Sequence, residues 1–94
     1  MRMLLIATIP VEIGNAGVQD ASLPGKLKEI LDEQKPESVY LSINDDGART
    51  AFVVVNMEKS SDLAKFAEPW FQTFNAAVTL RPCMTPDDLG LELT

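Results

Sequence analysis

Ser38-Val39-Tyr40-Leu41-Ser42-Ile43-Asn44-Asp45-Asp46-Gly47-Ala48-Arg49-Thr50-Ala51-Phe52-Val53-Val54-Val55-Asn56 reads as two strands joined by a tight turn. The first strand, about Ser38–Asn44, alternates, with Val39, Leu41 and Ile43 on one face and Tyr40, Ser42 and Asn44 on the other. Such period-two alternation marks a strand half buried against a core. Asp46-Gly47 predicts a two-residue type I′ turn, whose central positions need positive φ; glycine adopts it freely and aspartate tolerates it. That turn sets Asn44 opposite Arg49, Ser42 opposite Ala51 and Tyr40 opposite Val53. The second strand, Arg49 to about Asn56, is apolar on both faces through Ala51-Phe52-Val53-Val54-Val55, which predicts a place in the sheet interior.

Outward from the hairpin, residues 3–9 (Met3-Leu4-Leu5-Ile6-Ala7-Thr8-Ile9) are apolar at nearly every position and predict a second central strand. Leu23, Leu27, Ile30 and Leu31 fall at helical spacing, so a helix is expected from about Leu23 to Gln34 or Lys35, stopped by Pro36. Gly14, Gly17 and Gly25 interrupt the chain around it and read as turn glycines, with at most an irregular helical turn before Pro24. After the hairpin, Ser60 or Ser61 offers an N-cap. Leu63, Phe66, Ala67, Trp70, Phe71 and Phe74 then form one apolar helical face, which Pro69 is expected to kink or split. Ala77–Arg81 alternates as an edge strand ended by Pro82. In the tail, Thr85 caps a helical turn opened by Pro86, with Asp88 closing an approximate capping box.

Two central and two edge strands, connected through two right-handed crossovers, predict the α+β ferredoxin-like order βαββαβ with an antiparallel sheet ordered 4-1-3-2. Both helices would cover one face, burying Val39, Leu41, Ile43, Phe52, Val54, Val78 and Leu80. The other face would carry Tyr40, Ala51, Val53, Val55 and Ala77, an apolar surface expected to be covered by a second copy in a face-to-face homodimer. A lid made from Leu89, Leu91 and Leu93 of the tail is the weaker alternative.

Ninety-four residues with 46% hydrophobic and 23% charged composition make one domain, residues 1–94, with an ordinary core. The net charge of −6 argues against nucleic acid and against an anionic membrane surface. No apolar run is long enough to span a bilayer and no cleavage pattern follows residues 3–9, which points to a cytoplasmic protein. Cys83 is the single cysteine and histidine is absent, so no metal or cofactor is expected, and Ser–His and Cys–His nucleophile pairs are excluded. Neither a dinucleotide fingerprint nor a P-loop occurs.

The polar residues left for a ligand site are Tyr40, Ser42, Asn44 and Arg49 on the hairpin, with Thr79 and Arg81 on the last strand. Arg81 stands on a face heading for burial and calls for an anion there: an acid of a partner subunit first, a carboxylate or phosphate ligand second. Arg49 reads as a partner of Asp45 or Asp46 beside the turn. Trp70, Phe71 and Phe74 read as core, Glu68 as a solvated helix acid, Cys83 as a small hydrophobe, and Asp87 and Asp88 as helix-start acids.

Taken together, Lys35-Pro36-Glu37-Ser38-Val39-Tyr40, Gly47-Ala48-Arg49-Thr50-Ala51-Phe52, Ala67-Glu68-Pro69 and Arg81-Pro82-Cys83-Met84-Thr85-Pro86-Asp87-Asp88-Leu89 resemble a group of small bacterial proteins of unknown function within the dimeric α/β-barrel superfamily. The resemblance implies the ferredoxin-like protomer and the homodimer, and it transfers no activity. Relatives by fold include cofactor-free monooxygenases, haem-dependent enzymes and ligand-sensing modules, and the missing histidine speaks against the haem and typical monooxygenase types. Two classes of function remain. One is a homodimer binding a small anionic or aromatic molecule, or a protein partner, at its intersheet cavity. The other is a small cofactor-independent enzyme of monooxygenase or isomerase type, with Tyr40, Glu68 or Arg81 supplying its polar groups.

Overall fold

Asn44 decides the register of the hairpin. In the computed structural model, which describes residues 1–92, its side-chain Oδ1 accepts the N–H of Asp46 at 3.0 Å and the N–H of Ala48 at 2.9 Å. Gly47 N–H donates to the Asn44 carbonyl, and Asn44 N–H donates to the Ala48 carbonyl. The loop is therefore Asp45-Asp46-Gly47, a type I turn followed by a left-handed glycine at φ +78°, rather than a two-residue type I′ turn. Strand β2 (Ser38–Ile43) consequently pairs with β3 (Arg49–Asn56) as Ile43 with Arg49, Ser42 with Thr50, Leu41 with Ala51, Tyr40 with Phe52 and Val39 with Val53. Each expected partner shifts by one residue. Because side chains alternate, that shift turns the whole of β3 over. Ala51, Val53 and Val55 face the helices and are buried, whereas Phe52 and Val54, expected in the core, stand on the opposite face.

The sheet has four antiparallel strands in the order β2-β3-β1-β4, the expected 4-1-3-2 read from the other edge. Strand β1 (Arg2–Thr8) lies between β3 and β4 (Ala77–Pro82), matching Leu5 to Val53 on one side and to Leu80 on the other. Met3, Leu5 and Ala7 thus share the helix-covered face with Val53 and Val55, and Leu4 and Ile6 share the other with Phe52 and Val54.

Among the described residues three α-helices stand where two were expected. Helix α1 (Val11–Gln19) forms in spite of Gly14 and Gly17, α2 spans Leu23–Gln34, and α3 spans Asp62–Phe74. The glycines of α1 are packing glycines, not turn glycines. A Cβ on Gly17 would lie 3.1 Å from Leu23 Cβ, and one on Gly14 would lie 2.7 Å from Arg49 Nη1. Close approach of Leu23 at Gly17, and of the flexible end of Arg49 at Gly14, gives a packing reason for glycine in a helix it otherwise weakens by about 1 kcal/mol.

Helix α3 runs unbroken through Pro69, because Phe66, Trp70 and Phe74 hold it on the core at a spacing of one turn. Leu63 and Phe71, expected on the same face, lie outside this narrower stripe and are exposed. Trp70, Leu5, Val53 and Val55 are the largest completely buried side chains. Gln34, at the end of α2, is buried among them. It donates to the Phe66 carbonyl at 2.9 Å and accepts from Trp70 Nε1 at 3.3 Å, satisfying the indole N–H inside the core.

The tail carries the expected cap: Thr85 N–H donates to Asp88 Oδ2 at 2.8 Å, and Asp88 N–H donates to Thr85 Oγ1 at the head of a 3₁₀ turn, Pro86–Leu89. Arg2 ties this turn to the sheet, bonding Asp88 at 2.6 Å and Glu37 at 2.9 Å. The Thr85 N–H, followed by the Arg2 charge, holds the Asp88 carboxyl below the usual carboxylate range. Leu89 and Leu91 are 62% and 53% exposed, so the described tail forms no apolar lid, and Leu93 lies outside the described residues. No described helix is long and apolar enough to cross a membrane.

Candidate functional site

The helices do not cover the sheet to its β2 edge. Leu41 and Ile43 alternate onto the helix-covered face yet remain 62% and 70% exposed. The space beside them is a groove of about 440 Å³ lined by Ile9, Leu23, Leu27, Leu41, Ile43 and Ala51, with Ser42, Arg49 and Thr50 as its polar members. Ser42 and Thr50 alternate onto the opposite face, so they present main chain to the groove. A second hollow of about 460 Å³ continues it along α2, sharing Leu23, Leu27 and Leu41 and extending to Leu31. Each falls in the size range of small-molecule sites, and the walls are predominantly apolar with few polar groups, as such sites require.

Arg49 is the charged member of the first hollow. Its position opposite Ile43 directs it to the helix side, where Gly14 of α1 gives the guanidinium room and Asn15 Oδ1 accepts from Nη1 at 2.9 Å. No described carboxylate comes within 4.0 Å of it, so the expected ion pair with Asp45 or Asp46 does not form. In a chain with 14 acidic and 8 basic residues, an arginine lining an apolar groove with no acid among the described residues beside it is a specific arrangement. At the rim of the second hollow the opposite holds, because Lys28 is neutralised by Asp32 four residues on.

The sequence-derived candidates do not form one constellation. Ser42 and Arg49 line the groove. Tyr40 lies on the open face of β2 and is 70% exposed. Thr79 and Arg81 are exposed on β4 at the far edge, three strand spacings or about 14 Å away. Arg81 makes no ion pair with a described residue. Glu68 is exposed and accepts from Gln72 Nε2 at 3.0 Å, outside the groove lining.

Sequence reasoning did not identify Gly14, Asn15, Ile9 or Leu23 with a site. The available signal was Gly14 itself, since a glycine inside a helix-forming stretch needs a packing reason. No protein-family model matches the chain, and comparison with characterised proteins found no match.

Proposed function

We propose that this protein is a small-molecule-binding homodimer whose ligand occupies the groove between α2 and β2. The observation that carries the proposal is Arg49, an arginine without a carboxylate partner among the described residues, at the end of an apolar hollow. An intersheet cavity would need a second protomer, whereas this groove exists within one chain and on the other side of the sheet. Among the described residues the first hollow is lined by no carboxylate, histidine, lysine or cysteine, and the second adds only the mutually paired Lys28 and Asp32, so no free general base faces the ligand path, which favours binding over turnover.

The dimer completes the ferredoxin-like protomer as a dimeric α/β barrel. Leu4 with Val54, Ile6 with Phe52 and Phe52 with Tyr40 are side-by-side pairs, giving a continuous apolar patch on a face that neither the helices nor the described tail covers. A second copy packed on that patch under two-fold symmetry is the simplest cover.

Methyl chemical shifts during titration with octanol test the groove. Movement of Leu23, Leu27, Leu41 and Ile43 is expected, and shifts confined to other residues would remove the groove from the proposal. Light scattering tests the dimer: twice the 10.3 kDa chain mass is expected, falling to one chain mass in Phe52→Asp. A monomer at the highest attainable concentration excludes the face-to-face assembly.

A further inference from the structure

We infer that the groove selects elongated amphipathic monocarboxylates, with Arg49 holding the carboxylate and the apolar body lying along Leu23, Leu27 and Leu41 toward Leu31; this rests on the groove being a ligand site. The two hollows share the middle of that path, so one ligand can run through both. The polar end is single. Of the five guanidinium donors, the described hydrogen bonds engage Nη1 with Asn15 Oδ1, leaving the Nε and Nη2 edge, whose parallel N–H groups match two carboxylate oxygens. Arg49 is the one cation without an acid along the described lining of the two hollows, because Lys28 of the second is paired with Asp32; a single unpaired cation, within a chain of net charge −6, suits a monoanion rather than a phosphate dianion.

Gly14 and Asn15 act as positioning residues in this arrangement. Asn15 fixes one side of the guanidinium, and the bare Cα of Gly14 leaves the space that Nη1 and the Arg49 side chain occupy. A methyl group at Gly14 would meet Nη1 at 2.7 Å, so the flexible end of Arg49 would swing away while the backbone stayed in place. Gly14→Ala should therefore leave folding stability equal or higher, since alanine is the better helix former, yet displace the anion anchor. A purely structural Arg49–Gly14 contact would not separate stability from carboxylate affinity in this way.

The experiment compares octanoate with octanol by calorimetry on the unmodified protein, Arg49→Met and Gly14→Ala, with circular dichroism to confirm folding of each. Octanoate should bind more tightly than octanol. Arg49→Met should weaken octanoate by about 10- to 100-fold, the range expected when a charge-assisted hydrogen bond is lost, and change octanol less than about twofold. Gly14→Ala should weaken octanoate several-fold with octanol unchanged. Decanoate should exceed hexanoate by more than tenfold if the body extends into the second hollow. Octanol binding as well as octanoate, or octanoate indifferent to both substitutions, overturns the carboxylate assignment while leaving the groove as a ligand site. Failure of both compounds to bind overturns the groove itself. Should Arg49→Met fail to fold, Gly14→Ala alone decides, because its predicted stability and affinity effects have different directions.

Discussion

Strands β3 and β2 lie side by side beneath the same helix layer, and their fates differ. On β3 the layer is sealed: Val53 and Val55 are fully buried in one core cluster with Phe66, Trp70 and Phe74. At β2, Leu41 and Ile43 present equally apolar side chains to the same side of the sheet and meet open space. Alternation along a strand fixes which side of the sheet a residue faces. Whether anything stands there depends on how far the helices reach, and α2 brings Leu23 and Leu27 to the wall of the groove without closing it. The sealed region serves stability, and the open one leaves apolar surface available to a ligand.

The largest effect that could break this division is at the sealed end. Trp70 is fully buried and lies 6.1 Å from Phe74 between ring centroids, so Trp70→Ala should destabilise by about 3–5 kcal/mol in urea unfolding. A loss below about 1 kcal/mol would mean that this side of the layer is as loosely held as the β2 side. Gln34→Leu should follow, at about 1–3 kcal/mol, because it strands the Trp70 indole N–H in the core while changing little volume. If the variant is neutral, the indole finds another acceptor and the α2–α3 polar link is dispensable.

Gly47→Val tests the turn that places β3 beside β2. A Cβ at Gly47 meets nothing within 4 Å, so the expected loss of about 1–3 kcal/mol arises from the backbone at φ +78° alone. Gly14 is the converse case, with helical backbone and a neighbour, the end of Arg49, that a Cβ would displace. A neutral Gly47→Val would show that the three-residue loop does not depend on left-handed backbone there.

The same turn marks where the sequence is legible and where it is not. Strand positions, sheet order, the Phe66–Trp70–Phe74 part of the α3 face and the Thr85 cap follow from alternation, helical spacing and capping chemistry, all local properties, whereas Leu63 and Phe71 at the same spacing stand exposed. The facing of β3 does not. Ala51 to Val55 is apolar throughout, so no alternation within β3 chooses its inner face. The choice passes to the loop, where Asn44 bonding Asp46 and Ala48 outweighs the preference written in Asp46-Gly47. The groove was legible only in part for a similar reason. Arg49 and Ser42 are visible as polar residues on a hairpin, but their association with Gly14, Asn15 and Leu23 depends on tertiary contact between α1, α2 and β3.

The smallest expected effect sharpens the comparison most. Leu41 has the chemistry of a core leucine and the exposure of a surface residue, so Leu41→Ser should change stability by no more than about 0.5 kcal/mol, as for ordinary surface positions. A typical leucine sealed within a core would lose several times that on truncation. The side chain nevertheless belongs to both hollows, so the same substitution should weaken octanol and octanoate alike by several-fold while preserving the ratio between them. A common loss of affinity with retained selectivity assigns Leu41 to the apolar body of the site and leaves the carboxylate preference with Arg49. Destabilisation of 2 kcal/mol or more would instead place Leu41 among residues buried in solution, closing the open half of the layer and removing the distinction between the two strands.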